Sequence, residues 1–209
     1  MEETKKKGLN TSSNSYTIVY SVVIVVIVAF LLAFVSSTLK PQQDENVALD
    51  KKKQILAALN IRDIDGAEAT EQYNKVVTAD KIIDRNGEEV EAGKQGGTEA
   101  GFLCNSASTK EGKLALYVCN VDGETKYVIP VYGMGLWGGI SGYIALNADK
   151  QTVYGAYFNH EGETAGLGAE IKDSRVWQDQ FKGKHVFAAG KEGVALSVVK
   201  KNEVSDPTT

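Results

Sequence analysis

Proline is scarce in this chain of 209 residues, with three, and cysteine and histidine have two each. Little proline beside 21 glycines argues for tight turns and close backbone approaches rather than extended disordered linkers. Two cysteines, Cys104 and Cys119, do not make a disulfide scaffold in a domain of this size. They can pair outside the cytoplasm, or sit buried as small apolar side chains. His160 and His185 stand far apart with no cysteine or second histidine nearby, so no metal site is expected. An excess of basic charge is also missing. Lys and Arg number 23 against 27 Asp and Glu, for a formal net charge of −4. That balance excludes a nucleic-acid partner, which needs a basic surface to neutralise phosphates. No dinucleotide fingerprint, phosphate loop or catalytic triad occurs, so no turnover is expected from this chain alone.

One long apolar run is present. Residues 17–39 (TIVYSVVIVVIVAFLLAFVSSTL) carry no charge. As a helix they extend about 35 Å at ~1.5 Å per residue, enough for a hydrocarbon core of ~30 Å. A cleavable signal peptide, with AFVSS as its cleavage point, is the alternative. Its apolar region is ordinarily shorter. A buried soluble helix would need a much larger protein around it. Lys5, Lys6 and Lys7 precede the run, and the positive-inside rule places the N-terminus in the cytoplasm. Pro41 is expected to end the helix. The division expected is a cytoplasmic tail at 1–16, a transmembrane helix at 17–39 and an extracytoplasmic domain at 40–209.

Within that domain, 46–60 reads as a stalk helix. Val47, Ile55, Ala58 and Leu59 share a face, with the lysines opposite. The segment EATEQYNKVV suits a second short helix, and 86–101 a polar, Gly-rich connection. Residues 113–121 and 124–132 alternate apolar and polar around Asp122-Gly123, a strong hairpin signal, because a type I′ turn needs positive φ at both central residues. Residues 139–148 and 152–158 suggest another antiparallel pair, 176–184 a helix and 195–201 a strand. The fold class is α+β with a mainly antiparallel sheet and flanking helices.

Two Gly-rich segments bring candidate chemistry. In GMGLWG (133–138), Gly135 permits close backbone approach, and Leu136 and Trp137 offer an apolar surface and a ring that can stack on a planar ligand. A strand-joining turn with Trp137 in the core is the structural alternative. In HEGETAGLGAEI (160–171), Glu163 and Thr164 bring a carboxylate and a hydroxyl. Gly166 and Gly168 flank Leu167 in a turn whose N–H groups can face an oxygen. An ordinary loop is the alternative.

Taken together, IPVYGMGLWGGISGYIAL, YFNHEGETAGLGAEI and VWQDQFKGK resemble the NqrC family, from the Na⁺-translocating NADH:quinone reductase, over about 113–201. RnfG, from the related Rnf electron-transport complex, shares the E-T-P-G-L-G loop but is less similar around Gly135, Leu136 and Trp137. The resemblance implies an FMN domain, held in a bacterial inner membrane with its C-terminal domain periplasmic. It implies electron relay toward quinone coupled to sodium export. Other subunits of the reductase complex and a flavin transferase are the implied partners. By the same resemblance Glu163, Thr164, Gly166, Leu167 and Gly168 lie against the flavin, Trp137 neighbours the ring and Lys200 lies near the phosphate. Ala165 stands where the family has proline. The S-G-A-T segment whose threonine carries FMN is absent from the sequence, and neither Thr208 nor Thr209 is assigned that role. The attachment segment is expected beyond Thr209. A membrane-anchored binding or assembly module without covalent flavin is the alternative of a different class.

Overall fold

The structure, a computed structural model, describes residue 11, residues 13–188 and residues 193–198. By contacts the chain divides into two compact units, 1–48 and 49–209. Helix α1, Asn14–Ala58, is continuous through Pro41. The expected stop at Pro41 is therefore overturned, and the expected stalk helix at 46–60 is the tail of α1. Proline removes one helical hydrogen bond and costs about 3 kcal/mol, which a helix of 45 residues absorbs. An 18-residue window of α1 has mean hydropathy 3.2, and none of it is buried. Among the described residues this is the one helix long and apolar enough to cross a membrane.

The tail of α1 enters the second unit, where Ile55, Leu56, Ala57 and Ala58 are buried, as is Leu59. Val47, expected on that face, is exposed. Lys51 also departs from expectation. It is half-buried, and its ammonium donates to the carbonyls of Phe102 and Cys104. Helix α2, Gly66–Val76, begins where the Asp65 side chain accepts from the Glu68 N–H, which satisfies one orphan donor of its first turn. Its buried face carries Ala69, Tyr73 and Val76.

Six antiparallel strands follow: β1 Val77–Ile83, β2 Glu89–Glu91, β3 Leu114–Val121, β4 Glu124–Met134, β5 Gly139–Leu146 and β6 Val153–His160. Their order in the sheet is β2-β1-β3-β4-β5-β6. The Asp122-Gly123 hairpin forms as read, with φ of 53° and 85°. Strand β1 and the short β2 were not read from the sequence. Asp80 at the centre of β1 is buried, where its carboxylate accepts the N–H groups of Lys94, Ala100 and Phe102. These bonds fold the Gly-rich connection over the strand.

Side chains alternate across the sheet. One face carries Tyr117, Val128, Tyr143 and Ala145, all buried, and packs on the tail of α1. The Tyr117 and Tyr143 rings meet edge to face, their centroids 6.2 Å apart. The other face carries Ile129, Val131, Ile140, Ile144 and Phe158. It is covered by short helices α4, Glu170–Asp173, and α5, Arg175–Asp179. An earlier short helix, α3 (Ser106–Lys110), is capped by Asn105. The helix expected over 176–184 is only α5 followed by turns. Those turns carry Phe181 onto Phe158, 5.1 Å between centroids, and Gly183 follows at φ of 77°. The strand expected at 195–201 does not form over 195–198, where Ala195 and Leu196 both donate to the Val186 carbonyl. Residues 199–201 lie outside the described residues.

Cys104 and Cys119 are buried free thiols. Burial raises both, Cys119 to about 12.

Candidate functional site

Two loops at one end of the sheet carry the candidate residues. The first, 135–138, joins β4 to β5. It is a tight turn closed by the Gly135 N–H donating to the Gly138 carbonyl at 2.8 Å. The second, 161–169, leaves β6 and leads into α4. Strand pairing brings them together, because His160 lies opposite Ile140.

Carboxylates join the loops. Glu163 Oε1 accepts the Trp137 N–H at 3.0 Å. Glu161 Oε2 accepts the Gly139 N–H at 3.2 Å, and the Gly139 carbonyl accepts the Glu161 N–H at 3.0 Å. His160 holds the start of the second loop, with its Nδ1 accepting the Glu163 N–H at 3.1 Å. Glycine makes the brace possible at two positions. A Cβ on Gly135 would lie 2.2 Å from Glu163 Oε1, and one on Gly168 would lie 2.5 Å from Oε2. The Thr164 carbonyl accepts from both Leu167 and Ala169 N–H, each at 3.1 Å. That turn passes through Gly166 at φ of 75°, a left-handed position suited to glycine.

The brace leaves large apolar side chains in solvent. Leu136 is 82% exposed, Trp137 70% and Leu167 74%. Burial of Trp137 in the core, the structural alternative in the sequence, is thus overturned. Glu163 spends one carboxylate oxygen on the facing loop, so its part is to hold that loop. Lys200 lies outside the described residues.

Beside the loops, on the face of Phe158, is an apolar cleft of about 490 Å³ lined by Ile140, Phe158, Ile171 and Trp177 among others. Its size falls within the range of small-molecule sites. Phe158, Trp177 and Phe181 form an aromatic cluster with centroids 5.1–5.6 Å apart. All three lie in segments that carry the family resemblance, yet none of them was given a role from sequence, and neither were Glu161 and His160. The period-2 pattern of β6 could have placed Phe158 on the face of Ile140 and Ile144.

Exposed aliphatic and indole surfaces, beside a hydroxyl and a Gly-rich turn, suit a large planar heterocycle with a polar edge. Leu136, Trp137 and Leu167 would cover such a ring, and Thr164 with the turn's backbone would meet its polar groups.

Comparison with known proteins places this site in a class. Residues 135–207 match the family model of the FMN-binding domain, and the match begins at the first braced glycine. The NqrC protein of the Na⁺-translocating NADH-quinone reductase of Haemophilus ducreyi is 34% identical over 179 residues, covering 78% of this chain and 68% of that protein. The Vibrio campbellii NqrC is 29% identical, over 78% of this chain and 69% of its own length. The crystal structure of the Parabacteroides distasonis NqrC superposes with a TM-score of 0.72 at 38% identity, covering 79% of each chain. The chain belongs to the NqrC family of Na⁺-translocating NADH:quinone reductase subunits.

Proposed function

We propose that this chain is the FMN-bearing electron-transfer subunit of a Na⁺-translocating NADH:quinone reductase, anchored in the membrane by the apolar part of α1 at 17–39. The observation that carries the reading is the joining of the two loops through Glu163 and Trp137. It joins the loops that carry Leu136, Trp137 and Leu167, all within the residues that the FMN-binding family model matches. Bound FMN supplies redox chemistry, and the protein supplies position, burial and hydrogen bonds. Leu167 and Trp137 cover the ring, Thr164 meets its polar groups, Glu163 holds the loops together and Lys200 offsets phosphate charge. The other subunits of the complex are its partners, and a flavin transferase loads it. Lys5, Lys6 and Lys7 support a cytoplasmic N-terminus and a periplasmic domain.

The test is replacement of Leu167 and of Thr164 by alanine in the assembled complex. Flavin content and NADH-dependent quinone reduction are then measured. Reduced flavin content or a slowed electron-transfer rate is expected in both. Normal values of both quantities in both variants would overturn the site assignment.

A further inference from the structure

The segment that leaves α1 wraps the edge of β6. Gly155 has no Cβ, and one would lie 2.4 Å from the Ala58 carbonyl, so the chain passes directly against the strand. The pairing of β5 with β6 shifts between Ala145 and Leu146, which leaves Tyr154 as an extra residue in β6. At this bulge and just beyond it, two side chains take alternate edge carbonyls. Asn60 Nδ2 donates to Tyr154 O at 3.0 Å, and Arg62 Nη2 donates to Ala156 O at 2.9 Å.

Arg62 reaches further. Its guanidinium lies over the Tyr157 ring, on the α1 face of the sheet, at 5.9 Å. Its Nη1 donates to Gln178 Oε1 at 2.8 Å, and Gln178 belongs to α5 on the opposite face. Gln178 is 1% exposed. Its Nε2 donates to the carbonyls of Ile171 and Lys172 at 2.9 and 3.2 Å. Both carbonyls belong to α4, which begins two residues after Gly168. A planar guanidinium holds two acceptors at a fixed angle. Its Nε is buried and finds no acceptor among the described residues, so the two terminal nitrogens alone set its place.

We propose that Arg62 and Gln178 are positioning residues for the flavin loop. Together they form a bracket round the β6 edge that fixes α4, and through it 161–169, relative to the end of α1. This inference rests on reading 161–169 as the flavin loop. Neither residue touches the cofactor site. They act by fixing where the loop ends, and a loop fixed at both ends presents Leu167 and Thr164 in one geometry.

The experiment uses the full chain in its complex. Gln178→Met keeps volume and removes all three bonds, Arg62→Met removes the other side and Arg62→Lys keeps charge and one contact. Two quantities are read: amide hydrogen exchange over 167–174 and the midpoint potential of the bound FMN. Gln178→Met should speed exchange there by about tenfold, the factor corresponding to a lost bond, and shift the potential. Arg62→Met, which leaves the Gln178 bonds to Ile171 and Lys172, should do the same to a smaller extent, the double variant no more than Gln178→Met alone, and Arg62→Lys should recover part of the Arg62→Met effect on both. Unchanged exchange over 167–174 in Gln178→Met overturns the bracket and leaves the site assignment standing. Faster exchange with an unmoved potential shows that the loop does not set the flavin's surroundings and overturns both. Should the Met variants fail to assemble, Arg62→Lys decides by the same two readings.

Discussion

Glu163 joins the two loops through one hydrogen bond, from the Trp137 N–H. Glu163→Ala should lower stability by about 1–2 kcal/mol, the range for a hydrogen bond to an ionised group that is partly solvated, as read from the denaturant midpoint. Gly135→Ala offers a second route to the same damage. The new methyl meets the far end of a flexible carboxylate at 2.2 Å and Ile140 Cδ1 at 3.0 Å, so Glu163 swings away and Ile140 gives slightly. The expected result is a stability loss no larger than that of Glu163→Ala and a changed Trp137 emission. The two substitutions combined should cost little more than one, since both break one bond. Asp149 is the residue for pH. It accepts from the Thr152 hydroxyl at 2.6 Å and from the Gln151 and Thr152 N–H groups at 2.9 Å. Those bonds, the Thr152 hydroxyl first, hold its carboxyl at about 2. Its folded pKa lies below the unfolded value of about 3.9. Its stabilisation is therefore complete above that value and fades as pH falls toward 2. The stability gap between the parent and Asp149→Asn should narrow over that window in an acid titration followed by circular dichroism.

Strands and turns differ in how openly they declare themselves. The β3–β4 hairpin was legible because Asp122-Gly123 permits one turn and the flanking alternation permits one register. The β5–β6 pair was legible from the two segments around Asp149-Lys150-Gln151, whereas its register shift between Ala145 and Leu146 was not. Strand β1 was hidden because Asp80 and Lys81 break its apolar pattern, and the sense of a buried Asp80 appears only when Lys94, Ala100 and Phe102 arrive from the next segment. The same distance in sequence hid the parts of Glu161 and His160, whose partners are set by sheet register and by turn geometry. Glu163, Thr164 and Leu167 were assigned to the flavin through family resemblance, and the residue chemistry alone left a binding turn and an ordinary loop both open. The Asp80 clamp carries its own prediction. Asp80→Ala leaves three N–H groups of the connection without their acceptor and should cost about 3 kcal/mol, with thermal unfolding as the measurement. Gly97→Ala should be comparably damaging, because its Cβ would fall 1.7 Å from Asp80 Oδ1 and 2.8 Å from the Lys94 carbonyl.

At the scale of the molecule, one apolar helix and one sheet domain divide the work. Removing residues 1–48, the first compact unit, should move the protein from the membrane pellet to the soluble fraction without loss of its circular-dichroism strand signal. A fragment that still pellets under low salt and alkaline wash would show a second membrane contact in 49–209. The sheet's edges bear on how such a domain meets its neighbours. One outer strand, Glu89–Glu91, is three residues long with a glutamate at each end. The other has Asn60 and Arg62 on the carbonyls of Tyr154 and Ala156, with Gly183 and Lys184 bonded to Val153. Short charged edges and occupied edges both refuse an incoming strand. Strand addition is therefore disfavoured at both ends of this sheet, and with it the fusing of the domain with a copy of itself.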